Sequence, residues 1–293
     1  MGNMNFNKLE KKLTRFGTPL RYPGGKAKLT KWFKDLIIYN DIKNCHYIET
    51  YAGGAGAAIN LLLSGVVSKI TINDIDPMIH SFWWSLLNHP DELIEMINTT
   101  EVTPDNWYIQ KEIMLNHESY SLIEKGFATF FLNRTNRSGI LTGGMIGGKK
   151  QDGDYKIDAR YNKSELIKRI KLISNRSSDI TLFQHDALEM FEWIDNCNPD
   201  ETLLYLDPPY YNKGSQLYRN HYTYDDHVAI SDKVRNTKVP CIVTYDHCIE
   251  IERIYEGVSC NKFHIGYSTH LHRPTATELL FHRNIKLHDI PMA

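Results

Sequence analysis

HYIETYAGGAGAAINLLLSGVVSKITINDIDP, residues 46–77, passes through strand, glycine turn, helix and strand within one short segment. His46–Glu49 is a short run between Asn44 and a glycine cluster (Gly53, Gly54, Gly56), and it reads as a buried strand. Ala57–Leu63 reads as an apolar helix. Val67–Ile72 is a β-branched run ending at Asn73-Asp74, a second strand, and Pro77 suits the first turn of a helix continuing over Met78–Leu87. The segment is a β-loop-α-β unit with an acid at the carboxyl end of each strand.

Three further runs extend the pattern. Ile180–Phe183 ends at Asp186, Thr202–Leu206 at Asp207, and Pro240–Val243 near Asp246. Strands alternating with helices predict an open parallel α/β sheet, which binds ligands outside the carboxyl ends of its strands. The acids there are expected to converge on one crevice. Lys262–Ile265 and Glu278–His282, joined by the polar stretch Tyr267–Thr277, are expected to close the sheet as a hairpin. Between Asp105 and Ser178 the rhythm stops. An aromatic helix (Phe127–Leu132), a glycine-rich loop (Gly139, Gly143, Gly144, Gly147, Gly148) and a basic amphipathic stretch (Lys163–Ile173) predict an inserted subdomain of loops and short helices. The expected division is residues 1–105 with 178–293, and an insert over 106–177.

Composition bounds the function. At 293 residues and 42% hydrophobic, the chain can bury an ordinary core, and a net charge of −1 excludes global disorder. No run approaches the ~18 apolar residues of a membrane span. The start, MGNMNFNKLEKKLTRF, has no apolar signal region, and the five cysteines form no CxxC pair, so a reduced, cytoplasmic setting is expected. The near-zero charge hides segregation: residues 1–34 carry nine Lys/Arg against Glu10, residues 134–176 carry eleven against four acids, and residues 73–124 carry ten acids against Lys111. Two basic blocks suit a polyanion, although solvated helix faces give the same count.

Asp207-Pro208-Pro209-Tyr210 follows an apolar strand. Pro209 forces Pro208 into an extended conformation and neither proline has an N–H, so the turn is rigid and presents acceptors. The Asp207 carboxylate and the Pro208 carbonyl suit the two hydrogens of an exocyclic NH₂, with Tyr210 stacking on its ring. A plain strand-ending turn would use the same prolines. Glu49–Gly56 (ETYAGGAG) lets backbone approach a ligand at a helix N-terminus, and Asp74 at the next strand end is placed for ribose hydroxyls. No lysine follows these glycines, which fits a nucleoside without phosphate. Arg21–Lys26 (RYPGGK) is a turn whose lysine could close over a ligand carboxylate.

RYPGGK, ETYAGGAG, NDID and DPPY, in this order and with FLNR at Phe131–Arg134, resemble the Dam-type (D12 class) DNA adenine-N6 methyltransferases over most of the chain. The resemblance implies a class I methyltransferase fold (Rossmann-like), S-adenosylmethionine as donor, and a target-recognition insert acting on double-stranded DNA, with no metal. By position it implies cofactor contacts at Tyr22, Lys26, Glu49, Gly53, Asp74, Asp186 and Asp207, and a catalytic tetrad at Asp207, Pro208, Pro209 and Tyr210. Thr50 stands where the family commonly has Pro, and Tyr22 where Trp is frequent. The insert lacks the NGL-type turn of relatives that read GATC. Arg134, Arg137, Lys149 and Lys150 are the expected DNA contacts. Methylation of RNA or of a protein amide, or DNA binding without catalysis, would use much of the same pattern.

Other motifs point elsewhere. Gly143–Lys149 fits GxxxxGK, but Lys150 replaces the Mg²⁺-binding hydroxyl and no strand precedes it. Cys241 follows Pro240 inside a strand, where buried cysteine is ordinarily packing. His247, His270, His272 and Asp246 lack zinc-like spacing. Phe82-Trp83-Trp84 is read as core.

Overall fold

The computed structural model describes residues 17–22, 25–211, 222–266 and 275–291. Among them, one sheet contains β1 (His46–Glu49), β2 (Lys69–Asn73), β3 (Ile180–Phe183), β4 (Thr202–Leu206), β5 (Cys241–Asp246), β6 (Ser259–Gly266) and β7 (Thr275–Arg283). The spatial order is β3-β2-β1-β4-β5-β7-β6. β1 to β5 are parallel, and β7 lies antiparallel between β5 and β6. This is the class I methyltransferase sheet, closed at one edge by the expected hairpin.

The flanking helices are α1 (Thr30–Tyr39), α2 (Gly56–Leu63), α3 (Pro77–Asn88), α4 (Pro90–Thr99), α5 (Pro104–Leu115), α6 (Leu122–Thr135), α7 (Lys163–Ser174), α8 (Met190–Ile194), α9 (Tyr224–Asn236) and α10 (Ile249–Ile254). Strand side chains alternate between two apolar cores. Tyr47, Leu203 and Tyr205 pack with Phe33 of α1 and Leu61 of α2, while Ile48, Leu204 and Leu206 pack with Ile230 of α9 and Ile251 of α10. Both faces are covered, so β1 and β4 are buried along their whole length.

The strands read from sequence differ from these at the ends of β2, β5, β6 and β7, the last two being longer than Lys262–Ile265 and Glu278–His282. Val67 belongs to the turn before β2, which starts at Lys69. β5 continues past Val243 to Asp246 because β7 pairs with it over that whole length, from Cys241↔Arg283 to Asp246↔Glu278. That partner lies too far along the chain for local pattern to reveal it. Phe82 and Trp83 are fully buried as expected. Trp84 is half-buried on another face, its ring 4.8 Å from that of His89.

The helices of residues 106–177 do not stand apart from the sheet. α6 lies against α3 at Gly126, where any side chain would collide with Ser81 and Ser85. Phe130 stacks on Phe82 at 6.2 Å, and Thr129 Oγ1 donates to the Met78 carbonyl at 2.8 Å. Phe131, Leu166 and Ile170 join the same core as Phe33. The boundary expected after residue 105 falls inside α5.

The strand order reverses between β1 and β4. At such a switch point neighbouring connections leave on opposite faces and open a crevice at the carboxyl ends. Glu49 ends β1 and Asp207 follows β4, so the two acids flank that crevice.

Candidate active site

A cavity of about 500 Å³ occupies the crevice. Glu49, Asp74 and Asp207 from the strand ends line it, together with Tyr22, Lys26 and the Ala52–Gly56 loop except Gly53. Asp186 and Asp246 are not among its lining residues. Asp186 accepts the Leu188 N–H at 2.8 Å and Asp246 accepts the Tyr211 N–H at 3.2 Å, while His185 and Ala187 flank Asp186 at the cavity wall.

The glycine loop is built by backbone geometry. Gly53 has φ +47° and Ala55 φ +45°, and a Cβ on Gly53 would sit 2.7 Å from the Tyr22 ring. Gly53 therefore joins Tyr22 to Asp74, whose Oδ2 accepts the Gly53 N–H at 2.7 Å and whose Oδ1 accepts that of Asp76 at 3.0 Å. Burial, then the Asp76 charge, pushes the Asp74 carboxyl up to about 7. Glu49 is buried, accepts the Ala58 N–H at 3.3 Å, and is pushed by burial up to about 8.

At the proline corner, Lys26 Nζ donates to both oxygens of Asp207, at 2.9 and 3.0 Å. Thr244 donates to Asp207 Oδ1 at 2.7 Å. Its single hydroxyl hydrogen thus engaged, Thr244 is the acceptor in its 2.7 Å bond with the Tyr205 hydroxyl. Burial raises the Asp207 carboxyl above the usual range, Lys26 pulls it down, and Glu278 pushes it up. The Lys26 ammonium, expected at a ligand carboxylate, is instead held among protein acids, since Glu278 Oε2 lies 3.5 Å away on its other side. Tyr210 is nearly buried and donates to Glu278 Oε1 at 2.8 Å. Its ring is not among the residues lining the cavity, whereas Pro209 is.

Arg21, Arg134, Arg160 and Arg169 also line the cavity. Burial and Arg160 lower the Arg21 pKa, and burial with Arg169 and Arg21 brings that of Arg134 down to about 9. Arg134 was expected at DNA, yet it is buried, with Nε donating to the Pro19 carbonyl at 2.6 Å. Its neighbour Asn133 accepts the Arg21 N–H at 2.7 Å and donates to the Arg21 and Gly139 carbonyls at 2.6 and 2.9 Å. The end of FLNR is thus a clasp that fixes residues 19–21 beside the cavity.

Arg137, Lys149 and Lys150 are exposed. The Arg137 guanidinium lies beside Gly148, so all three share one loop. Asn136 donates to the Ile140 and Leu141 carbonyls and accepts from Trp107 Nε1. Gln151 donates to the Ile146 and Gly148 carbonyls and accepts the Ile157 N–H. These side chains brace the loop, and sequence reasoning missed them.

It also missed Thr244 and Glu278. An acid opening the apolar run Glu278–Phe281 was the available signal for the latter. Cys241 is fully buried in β5 and its thiol pKa is pushed up by burial. Among the described residues no three His, Cys, Asp or Glu side chains are grouped to hold a metal, and no helix is long and apolar enough to cross a membrane. Pro23, Gly24, His270 and His272 lie outside the described residues.

The chain is 21% identical over 255 residues to the Type II methyltransferase M.CviBI of Paramecium bursaria Chlorella virus NC1A, covering 86% of this chain and 92% of that protein. It is 21% identical over 207 residues to the Type II methyltransferase M.MjaIII of Methanocaldococcus jannaschii, covering 65% and 68%. A solved Pyrococcus horikoshii protein described as an RNA methyltransferase superposes with a TM-score of 0.43 at 10% identity, covering 94% of this chain and 96% of that one. The family of D12 class N6 adenine-specific DNA methyltransferases matches residues 22–272. The chain belongs to that family, and it methylates adenine in DNA with S-adenosylmethionine as the methyl donor.

Proposed function

We propose that the chain acts on an adenine turned out of double-stranded DNA into the cavity beside Asp207. The observation that carries this reading is the Asp207-Pro208-Pro209 corner at the sheet's switch point, opening on the cavity that Asp74 and the glycine loop share. A paired adenine has its amino group engaged within the stack, so extrusion is required, at a few kcal/mol. Asp207 and the Pro208 carbonyl take the two amino hydrogens and leave the N6 lone pair facing the donor. When bound, S-adenosylmethionine supplies an electrophilic methyl group. Asp207 then takes the proton that the methylated nitrogen sheds. Stacking by Tyr210 requires its ring to face the cavity. The test is methylation of duplex DNA, and of RNA of the same sequence, followed by nucleoside mass spectrometry. N6-methyladenine in DNA alone is expected, and its absence there defeats the reading.

The cavity's chemistry suits a zwitterionic nucleoside donor. Asp74 offers acceptors for ribose hydroxyls, and the arginine wall offers charge to a carboxylate. Tyr22, Lys26, Glu49, Gly53 and Asp74 are the residues we assign to holding or shaping the donor site. Asp186 would contribute through His185 and Ala187, which it flanks at the wall.

This assignment has a pH consequence. Hydroxyl donors favour ionised Asp74, so donor binding releases a proton, and affinity is expected to rise from pH 6 to pH 8, by up to about tenfold per unit below the Asp74 pKa. For the free chain the sign is opposite. A carboxyl raised by folding from 3.8 to about 7 gives stability that is lost as pH climbs through that window. Calorimetry in buffers of different ionisation enthalpy reads the proton directly. Binding without proton release excludes ionisation of Asp74 on donor binding.

For the duplex, Arg137, Lys149 and Lys150 on their braced loop are the proposed phosphate contacts, and residues 106–177 the recognition unit. Replacing Lys149 and Lys150 together by alanine is expected to weaken DNA binding about tenfold and to reduce the slope of log K against log salt by about 1.8, at ~0.9 per phosphate. An unchanged slope removes the loop from the interface. The Type II names of the relatives support a place in restriction-modification, and the cysteine pattern supports the cytoplasm.

A further inference from the structure

We propose that Glu278, on β7, is a positioning residue for methyl transfer: it balances the Lys26 ammonium and anchors the Tyr210 hydroxyl, so that Asp207 meets the substrate with its negative charge intact. This inference rests on the catalytic role given to Asp207.

The argument is one of charge in a dry place. Lys26 and Glu278 side chains are each 1% exposed, and Asp207 is 17% exposed on the cavity side. Lys26 Nζ lies 2.9 Å from Asp207 Oδ1 and 3.5 Å from Glu278 Oε2. Lys26 and Asp207 alone would form a neutral ion pair. Such an aspartate is a weak acceptor for amino hydrogens and offers little to the positive charge that gathers on N6 as the N–C bond forms and the C–S bond breaks. With Glu278 facing the same ammonium, the group of three carries one net negative charge, and its one solvent-facing member is Asp207. Low effective dielectric makes that difference large. Glu278 Oε1 also accepts from the Tyr210 hydroxyl at 2.8 Å, which ties the last residue of the tetrad to the same carboxylate.

The location supports the assignment. Glu278 pairs with Asp246 across β5 and with Phe263 across β6, so its backbone is fixed inside the sheet. A carboxylate buried inside a sheet is costly unless it is matched by charge and hydrogen bonds, and among the described residues its partners include two groups of the proposed active site, Lys26 and Tyr210.

Among the described residues the other charged group that acts on Asp207 is Lys26, from the segment before α1, and Asp207 in turn raises the pKa of Glu49 and Tyr47 on β1 and of Tyr205 on β4. Glu278 raises the Asp207 pKa, so E278Q is expected to move the acid limb of kcat to lower pH. It should lower kcat about tenfold, less than the ~10²–10³ of losing a direct contact. KM and calorimetric affinity for the donor should stay within about twofold, because Glu278 acts after binding. E278D keeps the charge, so its acid limb should stay near that of the native enzyme.

The decisive measurement is the double variant K26M/E278Q. Lys26 also holds the buried Asp207 ionised, so K26M is itself costly, but because Glu278 acts through that ammonium, adding E278Q to K26M should lower kcat by less than about threefold, and a further loss of about tenfold there overturns the proposal. Wild-type kcat and pH profile in E278Q overturn the proposal. So does a loss of donor binding and thermal stability in E278Q with an unmoved acid limb, which marks a merely structural residue. Should E278Q fail to fold, E278D with a displaced acid limb overturns it, and E278D with a native limb supports it. The two readings separate cleanly: activity in D207A sinks the catalytic assignment itself, whereas an inactive D207A with a native-like E278Q sinks only this inference.

Discussion

Replacing Asp207 with alanine is expected to cut the rate of methyl transfer by about 10²–10³, the range for removing one fixed electrostatic partner of a transition state. Three contributions go at once: the acceptor for an amino hydrogen, the negative charge beside the nitrogen, and the group that receives its proton. Asp207→Asn separates them, because it keeps shape and an acceptor oxygen but loses charge and basicity. Its rate should fall almost as far. The fold should survive both changes. Breaking a buried ion pair ordinarily costs ~3–5 kcal/mol, but here Glu278 still faces the Lys26 ammonium. Single-turnover methylation of a duplex, read as N6-methyladenine, gives the rate, and thermal melting gives the fold. Wild-type turnover in either variant removes Asp207 from the chemistry.

Gly53→Ala is expected to weaken donor binding on the order of 100-fold, although Gly53 does not itself line the cavity. The residue has φ +47°, where an L side chain costs about 1–2 kcal/mol. Its new methyl would also meet the Tyr22 ring at 2.7 Å, and overpacking of this kind costs about 1–3 kcal/mol. Tyr22 is carried by a segment clasped by Asn133, so it cannot retreat without breaking the two bonds to the Arg21 backbone. The strain therefore falls on the cavity wall and on the Gly53 N–H that holds Asp74. Donor affinity by calorimetry, beside the melting temperature, distinguishes a distorted site from an unfolded one. Donor affinity equal to wild type shows that the ring and the glycine are not coupled.

Much of this site was legible before any coordinates. β1, β3 and β4 lie where their apolar runs placed them; β1 and β4 are covered on both faces and so leave a short, uninterrupted hydrophobic signature, while β3, at the sheet edge, is only partly buried. Asp207, Glu49 and Asp74 were found as acids that end such runs. What stayed hidden are the long-range partners. Thr244 reaches Asp207 from 37 residues away and Lys26 from 181, and nothing near either residue encodes the pairing. Arg134 shows the converse. A basic residue in a basic block suggested DNA, but its helix turns it inward onto the Pro19 carbonyl. Composition reports that a charge exists and says nothing of the direction in which a helix face points.

By itself the sequence determined the parallel sheet, the proline corner and the glycine loop, because each follows from steric rules that act within a few residues: β-branched runs, missing N–H groups, a backbone that glycine adopts most readily. Tertiary structure alone decided that Lys26 stands between Asp207 and Glu278, that Tyr210 is tied to β7, and that three strand-end acids reach the cavity while Asp186 and Asp246 do not line it. Those outcomes depend on which strands become neighbours and on how burial alters the strength of a charge, and both are properties of the assembled chain.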